Sequence, residues 1–212
     1  IRPGANPPGI LAAGYEKKNK IHIGHFGSLA SDRSLSVFLN ALSGIVQQYP
    51  NIEGKMAVDV YGTVLDKQSK IAVKKYNLES VVREHGRLEY DAVSGKSGRQ
   101  QVFEKMHQCD VLLLLHGESG NSDEYIPSKI YEYLLTQRPI VAIASKKSEL
   151  GIMLERLGHS VLEPEDNREI KDRVIDIIKK WESDKLTSMG TSDYFTVETA
   201  VEKLMRISEA CL

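Results

Sequence analysis

The chain has 212 residues, of which 41% are hydrophobic and 27% charged, with a formal net charge of −1. That is enough chain and enough apolar content for one well-packed core, and it excludes an intrinsically disordered segment. The near-neutral charge offers no basic surface for nucleic acid, and no apolar run approaches the ~20 residues of a membrane-spanning helix.

Residues 1–19, with Pro3, Gly4, Pro7, Pro8 and Gly9, read as linker, and residues 20–212 as one domain. Strand and helix patterns then alternate. Ile21-His22-Ile23-Gly24-His25-Phe26-Gly27 is a strand running into a glycine turn, and a helix is predicted over 34–48, where Leu35, Phe38, Ala41, Leu42 and Ile45 form an apolar stripe. A strand over 56–61 ends at Gly62, a helix follows over 66–76, and a short strand over 81–85 ends at Gly86. The next helix is placed over 94–107. Val111-Leu112-Leu113-Leu114-Leu115 and Ile140-Val141-Ala142-Ile143-Ala144 are short, wholly apolar runs of the kind found in strands buried on both faces. A helix over 148–157, a strand over 160–162 and two terminal helices, over 168–181 and 196–208, complete the pattern. Six strands alternating with helices imply an α/β fold, a doubly wound, Rossmann-like six-stranded parallel sheet with helices on both faces.

In such a sheet, ligands meet the carboxyl ends of the strands. Gly24 and Gly27, with Ser28 beside them, could bring backbone close to a phosphate, and Arg33 lies just beyond. Gly62 ends the second strand, with Lys67 after it; Gly86-Arg87-Leu88 ends the third; His116 and the polar loop with Gly117, Glu118 and Gly120 follow the fourth. His25 and His116 are expected to serve packing or the surface, and Cys109 to be a core thiol. The two cysteines, Cys109 and Cys211, are far apart in sequence, so no disulfide is expected and a reducing compartment fits. No signal peptide is read, although the chain opens on Ile1 rather than Met. Ser94-Gly95-Lys96-Ser97 ends like a phosphate-binding P-loop, but Tyr90 stands where the first glycine is required. The six histidines show no metal-ligand spacing.

The segment Glu124-Tyr125-Ile126-Pro127-Ser128-Lys129-Ile130-Tyr131-Glu132-Tyr133-Leu134 stands between the two apolar strands. Pro127 suits a first helical position. At ~100° per residue, Ser128, Lys129, Glu132 and Thr136 share one polar stripe. A cation at Lys129 opposes the helix dipole by roughly 0.3–1 kcal/mol, and a bound anion would reverse that sign. The free backbone N–H groups at the same end favour an anion too.

This block, followed by Gln137-Arg138-Pro139-Ile140-Val141-Ala142, resembles the signature of retaining GT-B glycosyltransferases of the large group 1, or family-4-like, set. Their C-terminal domains carry two glutamates with seven residues between, the spacing of Glu124 and Glu132. The resemblance extends from about Lys20 to the end of the chain; it departs from the family pattern at Tyr125-Ile126-Pro127, where many members have a glycine-rich turn. It implies one half of a GT-B fold, the C-terminal domain that binds a nucleoside diphosphate sugar, UDP- or GDP-linked, for hexosyl transfer to a hydroxyl. Arg33, Lys67 and Lys129 would stabilise the leaving diphosphate, with Gly27 and Ile126, Pro127 and Ser128 around it. Glu132 would bind the ribose, Glu124, or secondarily Glu118, the sugar, and Arg87 or Leu88 the base. Neither cofactor nor metal is implied. The partner would be an N-terminal acceptor-binding domain of the same full-length chain, without which this domain would be inactive, and the last helix would leave its apolar face partly exposed. The resemblance further implies a cytoplasmic setting, with polysaccharide assembly the commonest pathway and peripheral membrane association of the full-length enzyme allowed. Two other readings stay open: half of a nucleotide-sugar epimerase, and a nucleotide-binding regulatory module.

Overall fold

The computed structural model describes residues 4–6, 16–117, 124–189 and 196–210. Six parallel strands form one sheet in the order β3-β2-β1-β4-β5-β6. The strands are β1 (Ile21–Phe26), β2 (Met56–Tyr61), β3 (Val82–Gly86), β4 (Val111–Leu115), β5 (Ile140–Ile143) and β6 (Ser160–Leu162). Between and after them run α1 (Ser36–Gln48), α2 (Lys67–Lys75), α3 (Gly98–Gln108), α4 (Lys129–Leu135), α5 (Glu149–Arg156), α6 (Asn167–Glu182) and α7 (Val197–Ala210). This is the order of a dinucleotide-binding sheet, and it reverses direction between β1 and β4, which opens a crevice at their carboxyl ends.

Alternation along the strands builds two cores. On one face Ile21, Ile23, Val58, Val60, Leu113 and Ile143 pack against α1, α2 and α6. On the other, Phe26, Tyr61, Leu112, Leu114 and Ala142 pack against α3, α4 and α5. The predicted doubly wound sheet is thus present, with a core on each face.

Three local features depart from the sequence reading. The helix placed over 94–107 begins only at Gly98, because Ser97 and Gln100 form a reciprocal capping box. Before it, Asp91 accepts hydrogen bonds from Val93 N and Ser94 Oγ, and Gly95 turns with φ +69°. The helix predicted from Ser34 begins at Ser36, since Ser34 Oγ instead binds Asp66 and Ser69 and accepts from Ser36 N. A 3-10 helix over Pro50–Lys55, which the sequence reading lacks, connects α1 to β2.

Across β1, β2 and β3, the buried Asp59 carboxylate bridges His22 Nδ1 and His85 Nε2, each at 2.7 Å. Burial alone would raise the pKa of Asp59, but the hydrogen bonds from both imidazoles outweigh it and hold the carboxyl below its ordinary value. His85, Tyr61 and Phe26 stack in a row along the ends of β3, β2 and β1, with ring centroids 4.3 and 4.7 Å apart. Along α7, Val201, Leu204, Met205 and Ile207 are 46–57% exposed, as expected for a helix whose apolar face lacks a cover.

Candidate functional site

The carboxyl edge is built on three glycines, each ending a strand with positive φ: Gly27 (+124°), Gly62 (+92°) and Gly86 (+67°). That region is open to glycine at little steric cost. Their backbones are tied together, Gly27 N donating to Tyr61 O at 2.9 Å and Gly62 N to Gly86 O at 2.7 Å. A Cβ on Gly27 would lie 2.5 Å from Lys129 Nζ. Gly24, by contrast, lies inside β1, where a side chain would strike Cys109 Sγ and the Phe26 ring. Its role is packing, not the close phosphate approach read from the sequence.

Lys129 folds back over the Gly27 turn and donates from Nζ to Phe26 O at 3.0 Å. Burial, and then the nearby Arg33, lower its pKa to about 8. Among the described residues it has no carboxylate partner. Arg33 closes a tight turn, donating from its backbone N to Ala30 O at 3.0 Å, and its buried Nε has no hydrogen bond among the described residues, lying 3.7 Å from Asp32 Oδ1. His25 feels both cations. It is fully buried, its Nδ1 lies 3.2 Å from Leu113 O, and its Nε2 has no partner among the described residues. Burial first, then Lys129 and Arg33, push its pKa down to about 3, so the imidazole is neutral at ordinary pH. The site thus holds two cations beside a neutral ring, an arrangement that favours an anion.

Two cavities flank this cluster. One, of about 340 Å³, is lined by Ser128, Lys129 and Glu132 of the signature block, by Arg99 of α3, and by residues 4–6 with Val197. Here Glu132 Oε1 lies 3.1 Å from Arg99 Nη2, which also donates to Asn6 O at 3.2 Å. Ala5 is buried among the residues of the second core. The other cavity, about 230 Å³, is lined by Arg33, Gln68, Leu115, His116 and their neighbours.

The structure therefore brings Gly27, Arg33, Ser128, Lys129 and Glu132 to one edge of the sheet. Leu88 and Ile126 are partly buried against the second core, and Pro127 is buried at the start of α4. Lys67 is exposed as the first residue of α2, whose N-cap is Asp66. Arg87 is 81% exposed and pairs with Glu89, and Glu124 is exposed and lines neither cavity. Glu118 and Gly120 lie outside the described residues.

Two sequence expectations change. Thr136 does not join the polar stripe; it is buried and donates to Tyr133 O. The backbone at the start of α4 is also less free than expected. Ile130 N donates to Pro127 O and Tyr131 N to Ser128 O in a 3-10-like turn, and the helix is only seven residues long. The positive charge at the site comes from side chains more than from a helix dipole. Arg99 and His25 were not assigned as site residues from the sequence: nothing local to residue 99 tells that α3 faces Glu132, and His25 sits in an ordinary strand pattern.

No protein-family model matches the chain, and no curated protein matches it. Solved structures do. WaaG, a glycosyltransferase involved in lipopolysaccharide biosynthesis, superposes with TM-score 0.62 at 14% identity over 89% of this chain. The S. aureus TarM G117R mutant, solved in complex with fondaparinux, α-GlcNAc-glycerol and UDP, gives 0.57 at 13% identity over 95%. A Listeria monocytogenes protein named for UDP-N-acetylglucosamine 2-epimerase gives 0.55 at 9% over 88%. This chain spans 47%, 36% and 43% of the lengths of these three. At such identities the likeness is one of fold, and the fold is one Rossmann-like half of the GT-B architecture that these structures share.

Proposed function

We propose that this domain is the donor-binding half of a GT-B glycosyltransferase and that it holds a nucleoside diphosphate sugar at the carboxyl edge of β1 and β4. The observation that carries the reading is Lys129. Its ammonium is partly buried beside Arg33, over a glycine turn, without a carboxylate partner among the described residues. Withdrawing a cation from water is costly unless something neutralises it, and a bound diphosphate would do so. Glu132, one helical turn further along α4, then reaches ribose hydroxyls, and Lys67 and Arg87 contribute from the rims of neighbouring loops. During transfer, negative charge grows on the departing phosphate, where fixed cations in a sheltered site stabilise it most. The acceptor is held by a further domain of a longer protein, so this domain binds donor without transferring the sugar by itself.

The test is thermal and calorimetric titration with UDP, GDP and ADP. A nucleotide present at 100 times its dissociation constant stabilises the fold by about 2.7 kcal/mol. Lys129→Ala weakens the diphosphate far more than the bare nucleoside, whereas Glu132→Ala weakens both. Folded protein that responds to none of the three nucleotides would overturn the reading.

A further inference from the structure

Diphosphate binding uses Lys129 as a charge, but its surroundings also fit it for covalent chemistry. The side chain leaves the start of α4, folds over the Gly27 turn and lines the cavity it shares with Ser128, Glu132 and Arg99. Its Nζ donates to Phe26 O at 3.0 Å, and among the described residues no carboxylate pairs with it. An ammonium carries three N–H donors, so one carbonyl leaves most of that capacity to whatever enters the cavity. The charged and titratable groups about it are His25 of β1, Arg33 of the loop that follows, Glu132 of its own helix and Arg99 of α3. Arg33 opposes the ammonium, His25 is neutral, and Glu132 gives one oxygen to Arg99 at 3.1 Å. These surroundings favour the neutral amine, in keeping with the lowering of its pKa from the ordinary 10.5 to about 8.

We infer that Lys129 is an acylation site at which a small acyl phosphate, a mixed anhydride of a carboxylic acid and phosphoric acid, switches donor binding off. Two features select this class of reagent. Its phosphate half is an anion, drawn to the place where Arg33 and Lys129 lie together over a glycine turn. Its acyl half needs an amine that can give up its proton, which a lysine withdrawn from water does readily. The Nζ lone pair attacks the acyl carbonyl carbon. The C–N bond forms as the C–O bond to phosphate breaks, inorganic phosphate leaves, and the surplus proton on nitrogen passes to solvent. Nothing is oxidised or reduced. Arg33, always charged, stabilises the departing phosphate. The product is a neutral amide that has lost its positive charge and two of its three N–H donors, so a diphosphate then meets one cation in place of two. The switch rests on the donor-binding reading of the site; the acylation rests on the amine and its surroundings.

The experiment treats the chain with acetyl phosphate at about pH 7.5 and follows each lysine by peptide mass spectrometry. At that pH about a quarter of an amine with a pKa of about 8 is unprotonated, against about one part in a thousand for an ordinary lysine. The lower basicity also weakens the nucleophile, by on the order of tenfold on a thiolate-like slope. Lys129 should therefore be acetylated roughly tenfold faster than Lys70 and Lys74, exposed on α2, and excess inorganic phosphate should slow Lys129 alone. Chain acetylated at Lys129 should bind nucleoside diphosphate at least about tenfold more weakly by calorimetry. Chain treated with nucleotide present to shield the site, and then freed of it, should keep its affinity. The inference is overturned if Lys129 reacts no faster than Lys70 and Lys74, or if its acetylation leaves nucleotide affinity unchanged. A chain that binds none of UDP, GDP and ADP before treatment overturns donor binding and with it the switch, whereas the acetylation rates decide the acylation site in either case.

Discussion

At the scale of single residues, the site is governed by what burial does to charge. Lys129 titrates near pH 8 when no ligand is present, because its surroundings and Arg33 disfavour the ammonium. A bound diphosphate favours that ammonium and raises its pKa. Diphosphate affinity is therefore expected to hold below pH 8 and to decline as the pH rises through about 8, where binding must first recover a proton. Titration calorimetry in buffers of different ionisation enthalpy measures this directly, and an affinity that is flat from pH 7 to 9 would remove Lys129 from the site. His25 works in the opposite range. Its pKa is about 3 in the fold against 6.5 for an ordinary imidazole. Between those values the unfolded chain binds a proton that the native chain refuses, so stability falls as the pH drops from about 6.5 toward 3. His159, lowered to about 4 by burial, contributes in the same sense. Denaturant melts at stepped pH should show this slope, and His25→Leu should flatten it in part, leaving the share of His159. Neither shift is visible in the sequence: His25 has the same strand context as its neighbours, and its burial first, then Lys129 from a helix a hundred residues later, depress it.

At the scale of elements, legibility followed the range of the interactions involved. The strands over 56–61 and 111–115 and the helix capped by Asp66 are specified by local apolar patterning and local hydrogen bonds, and their placement was readable. The start of α3 was misplaced by four residues, although its signal was also local: Ser97 followed by Gln100 is a capping box, obscured by the Ser-Gly-Lys run before it. Ser97→Ala should cost about 1 kcal/mol of stability, whereas Ser94→Ala, which removes only an exposed bond to Asp91, should cost less. Paired chemical denaturation curves make the comparison, and equal costs would count against the cap. The start of α1 was missed for another reason. Ser34 is drawn out of the helix by Asp66 and Ser69, partners more than thirty residues away that no window of local sequence contains.

At the scale of the whole molecule, six alternating strand and helix patterns are enough to give a doubly wound sheet; the carboxyl-edge rule points to Gly27 and Arg33, and the 124–134 block to Lys129 and Glu132, and all four lie at one edge of the sheet. Orientation across that edge was not readable: Lys67, Arg87 and Glu124 reach the surface, and Arg99 arrives from a helix with no motif of its own. The apolar face of α7 has so little packing that Leu204→Ser with Ile207→Ser should leave stability within about 0.5 kcal/mol, as measured by urea unfolding; a larger loss would mean that this face is covered. The segment 4–6 has a consequence of another kind. Ala5 and Asn6 form part of the wall of the cavity of Glu132, with the Asn6 carbonyl on Arg99. A nucleotide that enters this cavity is held between the sheet domain and a wall that the segment supplies. Truncation of the chain through residue 6 should then weaken nucleotide affinity as calorimetry reads it, and an unchanged affinity would show that this wall makes no contact with the ligand.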